Sequence, residues 1–209
     1  MNPLDKILGT IVSGLVISII IVVSLQIPAG VGATQSISTW LHVAAGVAWI
    51  GLLYYFNFVQ VPSVAEAKAD SDGPGPAAIT KYVAPRALLW FRWAALVTWL
   101  SGAAILYAKG GGMDGIKNAF ELGLVSGGPG GPEYNMIIGL GAWMGTIMLF
   151  NVWILIWPNQ KKVLGIVEAT TEEKDKAARI AFLASRTNTM LSIPMLMCMV
   201  GAGHIGFFI

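Results

Sequence analysis

Long stretches without a charged side chain dominate the hydrophobic pattern of this chain. No Asp, Glu, Lys or Arg occurs in residues 7–65, in residues 134–160 or after Arg186, and Arg92 is the only charge in residues 87–108. A helix that crosses a bilayer needs about 20 consecutive, mostly apolar residues. The pattern therefore predicts about five membrane-spanning helices, at residues 8–27, 39–61, 87–108, 136–157 and 187–208.

The composition agrees with this interpretation. Of 209 residues, 56% are hydrophobic and only 11% are charged, which is more apolar surface than a soluble domain of this length can bury. We therefore predict an all-α, polytopic membrane helical bundle that forms a single transmembrane domain over residues 1–209. This domain should contact the lipid bilayer. The apolar run of the first span is longer than that of a usual signal peptide, so we expect an uncleaved anchor.

The lysines and arginines predict the orientation, because cytoplasmic loops of membrane proteins are enriched in both. In a topology of about five spans, only Lys109 and Lys117 fall on the outer side. The N-terminus is then cytoplasmic and the C-terminus periplasmic, in a bacterial inner membrane. The net charge of +2 reflects this topology and gives no indication of nucleic-acid binding. The basic residues on the inner side are Lys6, Lys68, Lys81, Arg86, Lys161, Lys162, Lys174, Lys176, Arg179 and Arg186.

His42 and His204 are the only histidines, and both lie in apolar stretches. An ionisable residue inside a membrane is a functional candidate, and imidazole is a common ligand of haem iron. In the predicted topology both lie about 5 to 8 Å below the outer helix ends, so they can meet. They predict one b-type haem with two histidine ligands, and bis-histidine ligation favours electron transport over oxygen chemistry.

The neighbours of the histidines suit a flat group. Gly46 and Gly201 lie about one turn from His42 and His204, and Trp49 could line the same pocket. Small residues also serve close helix packing in membranes, so two other interpretations stay open. The histidines could bind another metal or act separately, or they could simply form hydrogen bonds between helices. Cys198 is the sole cysteine, which excludes covalent haem attachment through a Cys-x-x-Cys-His motif.

A second group of polar residues is predicted near the inner ends of the spans. The group could be a quinone, proton or anion site. Alternatively, Arg92 extends to the lipid headgroups, and the asparagine side chains form hydrogen bonds between helices. Its members are Arg92, Asn57, Asn151, Asn188 and Ser192.

Local signals predict three features outside the spans. Gly73 to Pro76 should break the first inner loop, and Thr170 with Glu173 has capping-box spacing for a polar helix that leads into the last span. In the outer loop, Ile116 and Phe120 continue a four-residue spacing to Leu124, which predicts a short helix at the interface.

Sequence motifs along most of the chain resemble a known family. The chain is similar to the membrane-embedded N-terminal domain of bacterial membrane-bound urate hydroxylases, the urate oxidase N-terminal family. The matching motifs are Trp40-Leu41-His42-Val43, Trp49-Ile50-Gly51, Tyr55-Phe56, Trp90-Phe91-Arg92-Trp93, Asn151-Val152-Trp153, Trp157-Pro158-Asn159-Gln160, Arg186-Thr187-Asn188-Thr189 and Ser192-Ile193-Pro194-Met195, followed by His204.

The resemblance implies a membrane domain that works with cytochrome chemistry, because full-length members continue into a cytochrome c domain. This sequence stops at Ile209, before such a domain. We therefore expect an electron-transfer protein that works with a separate cytochrome c or within a respiratory complex. The alternatives are an oxidoreductase that acts on urate, another purine or quinol, and a cofactor-free accessory subunit that docks onto other membrane subunits.

Overall fold

The structure is a computed structural model that describes residues 2–24, 32–125, 128 and 130–203. This described part is all-helical and contains no strand. The chain divides into two compact units, Met1–Ser36 and Ile37–Ile209.

The first unit contains a helix that buries none of its side chains. Asn2 caps a 3-10 helix, Pro3–Asp5, by accepting a hydrogen bond from the Leu4 backbone N–H at 2.9 Å. Helix α1, Ile7–Ser24, follows and has no buried residue. An apolar helix exposed on every side needs a lipid or protein environment.

The second unit is a bundle of long helices joined by short ones. The elements after α1, in chain order, are α2 (Gly32–Tyr54), a π-helical segment (Tyr55–Gln60), α3 (Val61–Ala69), a second π-helical segment (Ile79–Val83), α4 (Ala84–Lys109), α5 (Met113–Phe120), α6 (Gly131–Phe150), a third π-helical segment (Asn151–Ile156), α7 (Trp157–Val163) and α8 (Thr171–Gly201).

Each π-helical segment ends one residue before a proline-containing first turn. The residues that precede Pro62, Pro85 and Pro158 all donate their backbone N–H to the carbonyl five positions earlier, as Val61 does to Phe56. A proline ring collides with the carbonyl four positions before it and cannot donate to that carbonyl. The wider π turn lets the helix continue past each proline despite this collision and the missing donor. Such segments often lie at functional sites.

Four helical stretches are long and apolar enough to cross a membrane: Ile7–Ser24, Thr34–Ala69, Ile79–Lys109 and Gly131–Val163. They match the first four predicted spans, except that residues 25–27 of the first span lie outside the described residues, and the last three stretches extend beyond the predicted bounds. A helix of 33 residues, such as Gly131–Val163, is about 50 Å long and exceeds a hydrocarbon core of about 30 Å. The protein is thus a helical membrane protein.

The last helix, α8, begins as a polar helix and ends with apolar residues. Its N-terminus has the predicted capping box: the Glu173 backbone N–H donates to Thr170 Oγ1 at 3.2 Å, and the Thr170 backbone N–H donates to Glu173 Oε2 at 2.8 Å. The predicted last span continues past Gly201 into residues outside the described part. Its crossing of the membrane stays a prediction.

The core is a layer of large apolar side chains flanked by a close contact between α6 and α8. A Cβ atom at Gly141 would lie 3.1 Å from Met199 Cε and 3.2 Å from Cys198 Cβ, so only glycine lets the helices approach this closely. Residues of α2, α4, α6, α8 and the first and third π-helical segments form the central layer, among them Trp49, Leu53, Phe56, Phe91, Ala95, Met148, Val152 and Met195.

The predicted short helix of the outer loop is α5, and α6 holds it in place. Trp143 Nε1 donates to the Phe120 carbonyl at 3.0 Å, and the two rings meet edge to face with centroids 5.2 Å apart. Leu124 lies beyond the helix and is exposed. The prediction of a short helix is confirmed, and the non-helical Gly73 to Pro76 stretch is confirmed as well.

Candidate functional site

His42 lies on α2 with its ring against α4. Its Nδ1 is 2.8 Å from the backbone carbonyl oxygen of Thr98. A carbonyl oxygen can only accept a hydrogen bond, so Nδ1 must carry the proton. The neutral ring then has its lone pair on Nε2, for which no hydrogen bond is found within the described residues. Metal-binding histidines commonly have this arrangement, because the bond at one nitrogen fixes the tautomer and aims the other.

Gly102 leaves room for the His42 imidazole. A Cβ atom on Gly102 would lie 3.0 Å from His42 Cε1 and 3.1 Å from His42 Nδ1, which is tighter than ordinary contact. Gly46, one turn along α2, faces the Thr98 methyl group, which would be 3.7 Å from an added Cβ. An added Cβ on Gly46 would thus make only an ordinary contact with α4, so the predicted role of Gly46 beside a haem stays a prediction. Gly102 is a site residue that the sequence did not suggest.

Trp49 lies on the same face of α2 as His42 and Gly46, two turns along the helix. Its side chain is only 2% exposed and belongs to the core. The indole Nε1 is buried and has no hydrogen-bond partner. A buried, unpaired N–H is costly in a low-dielectric interior, and the indole Nε1 of Trp153 is in the same state.

The second predicted ligand, His204, lies outside the described residues, so the meeting of the two histidines stays a prediction. Gly201 is buried at the end of α8. In the described part of the chain, no group of three or more His, Cys, Asp or Glu side chains comes together. The described residues therefore contain no site at which three or more such side chains could hold a metal ion. A haem iron needs only one histidine on each side of the ring.

The structure brings two of the predicted inner polar residues together. Asn151 Nδ2 donates to Asn188 Oδ1 at 2.8 Å, and Asn188 Nδ2 donates to the Met148 carbonyl at 3.0 Å. Asn188 is completely buried. These bonds join α6 and its π-helical continuation to α8.

Asn57 and Ser192 form hydrogen bonds with residues outside the predicted inner polar group. Asn57 Nδ2 lies 2.8 Å from Ser185 Oγ and 2.9 Å from the Leu53 carbonyl. The hydroxyl of Ser192 lies 3.0 Å from the Tyr54 hydroxyl and donates to the Thr189 carbonyl at 2.8 Å. Both contacts join the α2 side of the bundle to α8.

Arg92 does not join these polar side chains. Its guanidinium stacks on Trp157 with the central carbon 3.7 Å from the ring centroid. This distance is typical of a cation–π contact, which holds α4 against the start of α7. The predicted inner polar group is therefore a set of separate interhelical contacts, and its amides are paired with protein atoms.

Sequence reasoning overlooked one signal, a ten-residue pattern that occurs in both α2 and α6. Ala48, Trp49, Gly51, Phe56 and Asn57 recur at identical spacing as Ala142, Trp143, Gly145, Phe150 and Asn151. Each copy ends in a buried asparagine within a π-helical segment, and each asparagine donates a hydrogen bond to α8. The pattern therefore marks two of the places where a hydrogen bond joins α8 to the bundle.

Comparison with known proteins gives one match. A protein-family model described as urate oxidase N-terminal matches residues 31–109 and 134–208. These two segments contain the two copies of the ten-residue pattern and leave out α5 with its flanking loops. Comparisons with curated proteins and with solved structures give no match. Because the family model covers most of the sequence, the chain belongs to the urate oxidase N-terminal family.

Proposed function

We propose that this protein is a haem-b-binding, multi-pass protein of the bacterial inner membrane that transfers electrons. The geometry of His42 carries the proposal. Its Nδ1 donates to the Thr98 carbonyl at 2.8 Å, which leaves Nε2 as the ligand atom. In the proposed topology α8 provides a fifth span, the N-terminus is cytoplasmic, and His204 approaches from the periplasmic end of that span.

The residues around His42 fit an axial haem ligand. The ring is only half-buried, it is held against α4 by Gly102, and the Trp49 indole N–H is a buried donor without a protein acceptor. When bound, a haem with two histidine ligands supplies one-electron redox chemistry and offers no free iron position. In this proposal His42 would hold the iron through Nε2, Gly102 leaves room for the imidazole, and a cytochrome c or another membrane subunit would exchange the electron.

The absorption spectrum of the purified protein tests this function. After reduction we expect sharp b-type bands that disappear in His42→Ala and in His204→Ala. Gly102→Ala should shift or weaken these bands, since its Cβ would press on the imidazole. Gly51→Ala is the matched control, because an added Cβ there meets nothing within 4 Å. A colourless wild-type protein, or bands that survive in His42→Ala, would contradict the proposal.

Family membership favours one second candidate, an oxidoreductase that acts on urate. Two-electron oxidation of urate with water as the oxygen source would release two protons and two electrons, and two molecules of an external cytochrome c would each accept one electron. The assay is urate-dependent reduction of added cytochrome c by the protein in detergent or in vesicles. Reduction that needs both urate and His42 would support this activity, and a haem-containing protein without it would remain an electron carrier.

A further inference from the structure

An open groove of about 480 Å³ lies in the second unit, between α2 with its π-helical segment and the start of α4. Tyr82 and Trp90 at its edge are largely exposed. Its lining includes Leu52, Tyr55, Tyr82, Arg86, Ala87 and Trp90.

Two of the π-helical segments meet at this groove, since Tyr55 belongs to one and Tyr82 to the other. Three large aromatic side chains and the small Ala87 are among the residues that line it. Small residues allow helices to close on each other, whereas large ones hold them apart.

The groove combines apolar walls with hydrogen-bond donors. Arg86 donates one N–H to the Tyr82 carbonyl at 2.7 Å, which leaves its other N–H groups available. The hydroxyls of Tyr55 and Tyr82 and the indole N–H of Trp90 make no hydrogen bond within the described residues. No carboxylate lines the groove. The site is therefore complementary to an anion.

The position of the cations along α4 restricts which anion fits. Arg86 lies at the start of α4, directly before residues 87–108 with their single charge, and Lys81 lies in the turn before it, with Nζ 5.4 Å from the Tyr82 ring centroid. Tryptophan, tyrosine and basic residues at such a boundary lie at the level of the lipid headgroups. A molecule with a negative head and an apolar tail matches both parts of the groove.

We propose that this groove binds one anionic phospholipid. Its phosphate would contact Arg86 and Lys81, and one acyl chain would lie along Leu52, Tyr55 and Ala87. Inorganic phosphate lacks a tail for the apolar walls, and a quinone lacks the negative charge for Arg86.

Native mass spectrometry of the delipidated protein in a nonionic detergent tests the proposal, with phosphatidylglycerol and phosphatidylcholine added at equal concentration. We expect a one-to-one complex with phosphatidylglycerol. Arg86→Gln should weaken it about fivefold, as expected for one basic residue near a membrane surface. Ala87→Phe should abolish it by filling the groove. Arg179→Gln, which removes an exposed charge on α8, should bind like the wild type.

Circular dichroism of each variant verifies that its helices are intact, and a variant that fails this check is replaced by Arg86→Leu or Ala87→Met. Equal binding of the two lipids would overturn the proposal, as would equal losses in Arg86→Gln and Arg179→Gln. Displacement of phosphatidylglycerol by inorganic phosphate would show an anion site without a lipid tail. Preferred binding of an isoprenoid quinone would also overturn the proposed occupant.

Discussion

The hydrogen bond between Asn151 and Asn188 provides a direct test of whether the inner polar residues hold the bundle together or form a ligand site. Asn188 is fully buried, accepts from Asn151 at 2.8 Å and donates to the Met148 carbonyl at 3.0 Å. The perturbation is a double-mutant cycle with Asn151→Leu, Asn188→Leu and the combined variant. Leucine keeps the branched shape and removes every hydrogen-bonding atom.

The expected magnitudes follow from what each substitution leaves behind. A polar contact between membrane helices contributes about 0.6 kcal/mol on average, and a buried donor that loses its acceptor costs about 1 to 3 kcal/mol. Asn188→Leu leaves the Asn151 amide N–H unpaired, so we expect a loss of about 2 to 4 kcal/mol in the free energy of unfolding. The double variant leaves no such group, and we expect it to be no less stable than Asn188→Leu alone.

Equilibrium unfolding in mixed detergent micelles, followed by tryptophan fluorescence, measures these free energies. Asn159→Leu is the matched control, because within the described residues the Asn159 side-chain amide donates only to the Leu155 carbonyl, four residues earlier in the preceding π-helical segment, at 2.8 Å. It should change stability by less than about 0.5 kcal/mol. Single-variant losses that add to the double-variant loss within about 0.5 kcal/mol would refute the assigned coupling.

Two further predictions concern a helix end and a helix contact. Thr170→Ala should cost about 1 kcal/mol of stability at neutral pH. The backbone N–H and then the side chain of Thr170 lower the pKa of Glu173 below 4.5, so this cap stabilises α8 above that pH and is lost as the pH falls through the lowered pKa. The protection factors of the first-turn amides, which correct for the pH dependence of intrinsic hydrogen exchange, should fall on acidification, and pH-independent protection factors would contradict this. Gly139→Ala should cost about 1 to 3 kcal/mol, since its Cβ would collide with the Ala119 carbonyl, whereas Gly51→Ala should be neutral or mildly stabilising. Equal shifts in melting temperature for the two variants would show that this contact is not formed.

The sequence indicated part of the candidate site but not its contacts. Apolar surroundings and the lack of other histidines singled out His42. Its partner in the described structure is the Thr98 backbone carbonyl, and Gly102 makes room for the ring. Every residue has a carbonyl, so no side-chain pattern can point to the one that accepts a particular hydrogen bond. The pairing of Asn57 with Ser185 was equally inaccessible, because it depends on the rotation of two helices.

Local chemistry determined the features that depend on only a few neighbouring residues. Charge-free stretches determined the membrane helices, the Thr170 and Glu173 spacing determined a cap, and prolines determined where π-helical segments end. The tertiary structure alone decided which face of each helix is buried. The ten-residue pattern shared by α2 and α6 demonstrates this, because Trp49 is 2% exposed and its counterpart Trp143 is 46% exposed. Gly145 in turn packs near Met195, whereas Gly51 meets open space. In a membrane helix most faces are apolar, so hydrophobicity does not choose among them. Which face is buried therefore depends on the interhelical contacts that small residues permit and on the few polar groups that need hydrogen-bond partners.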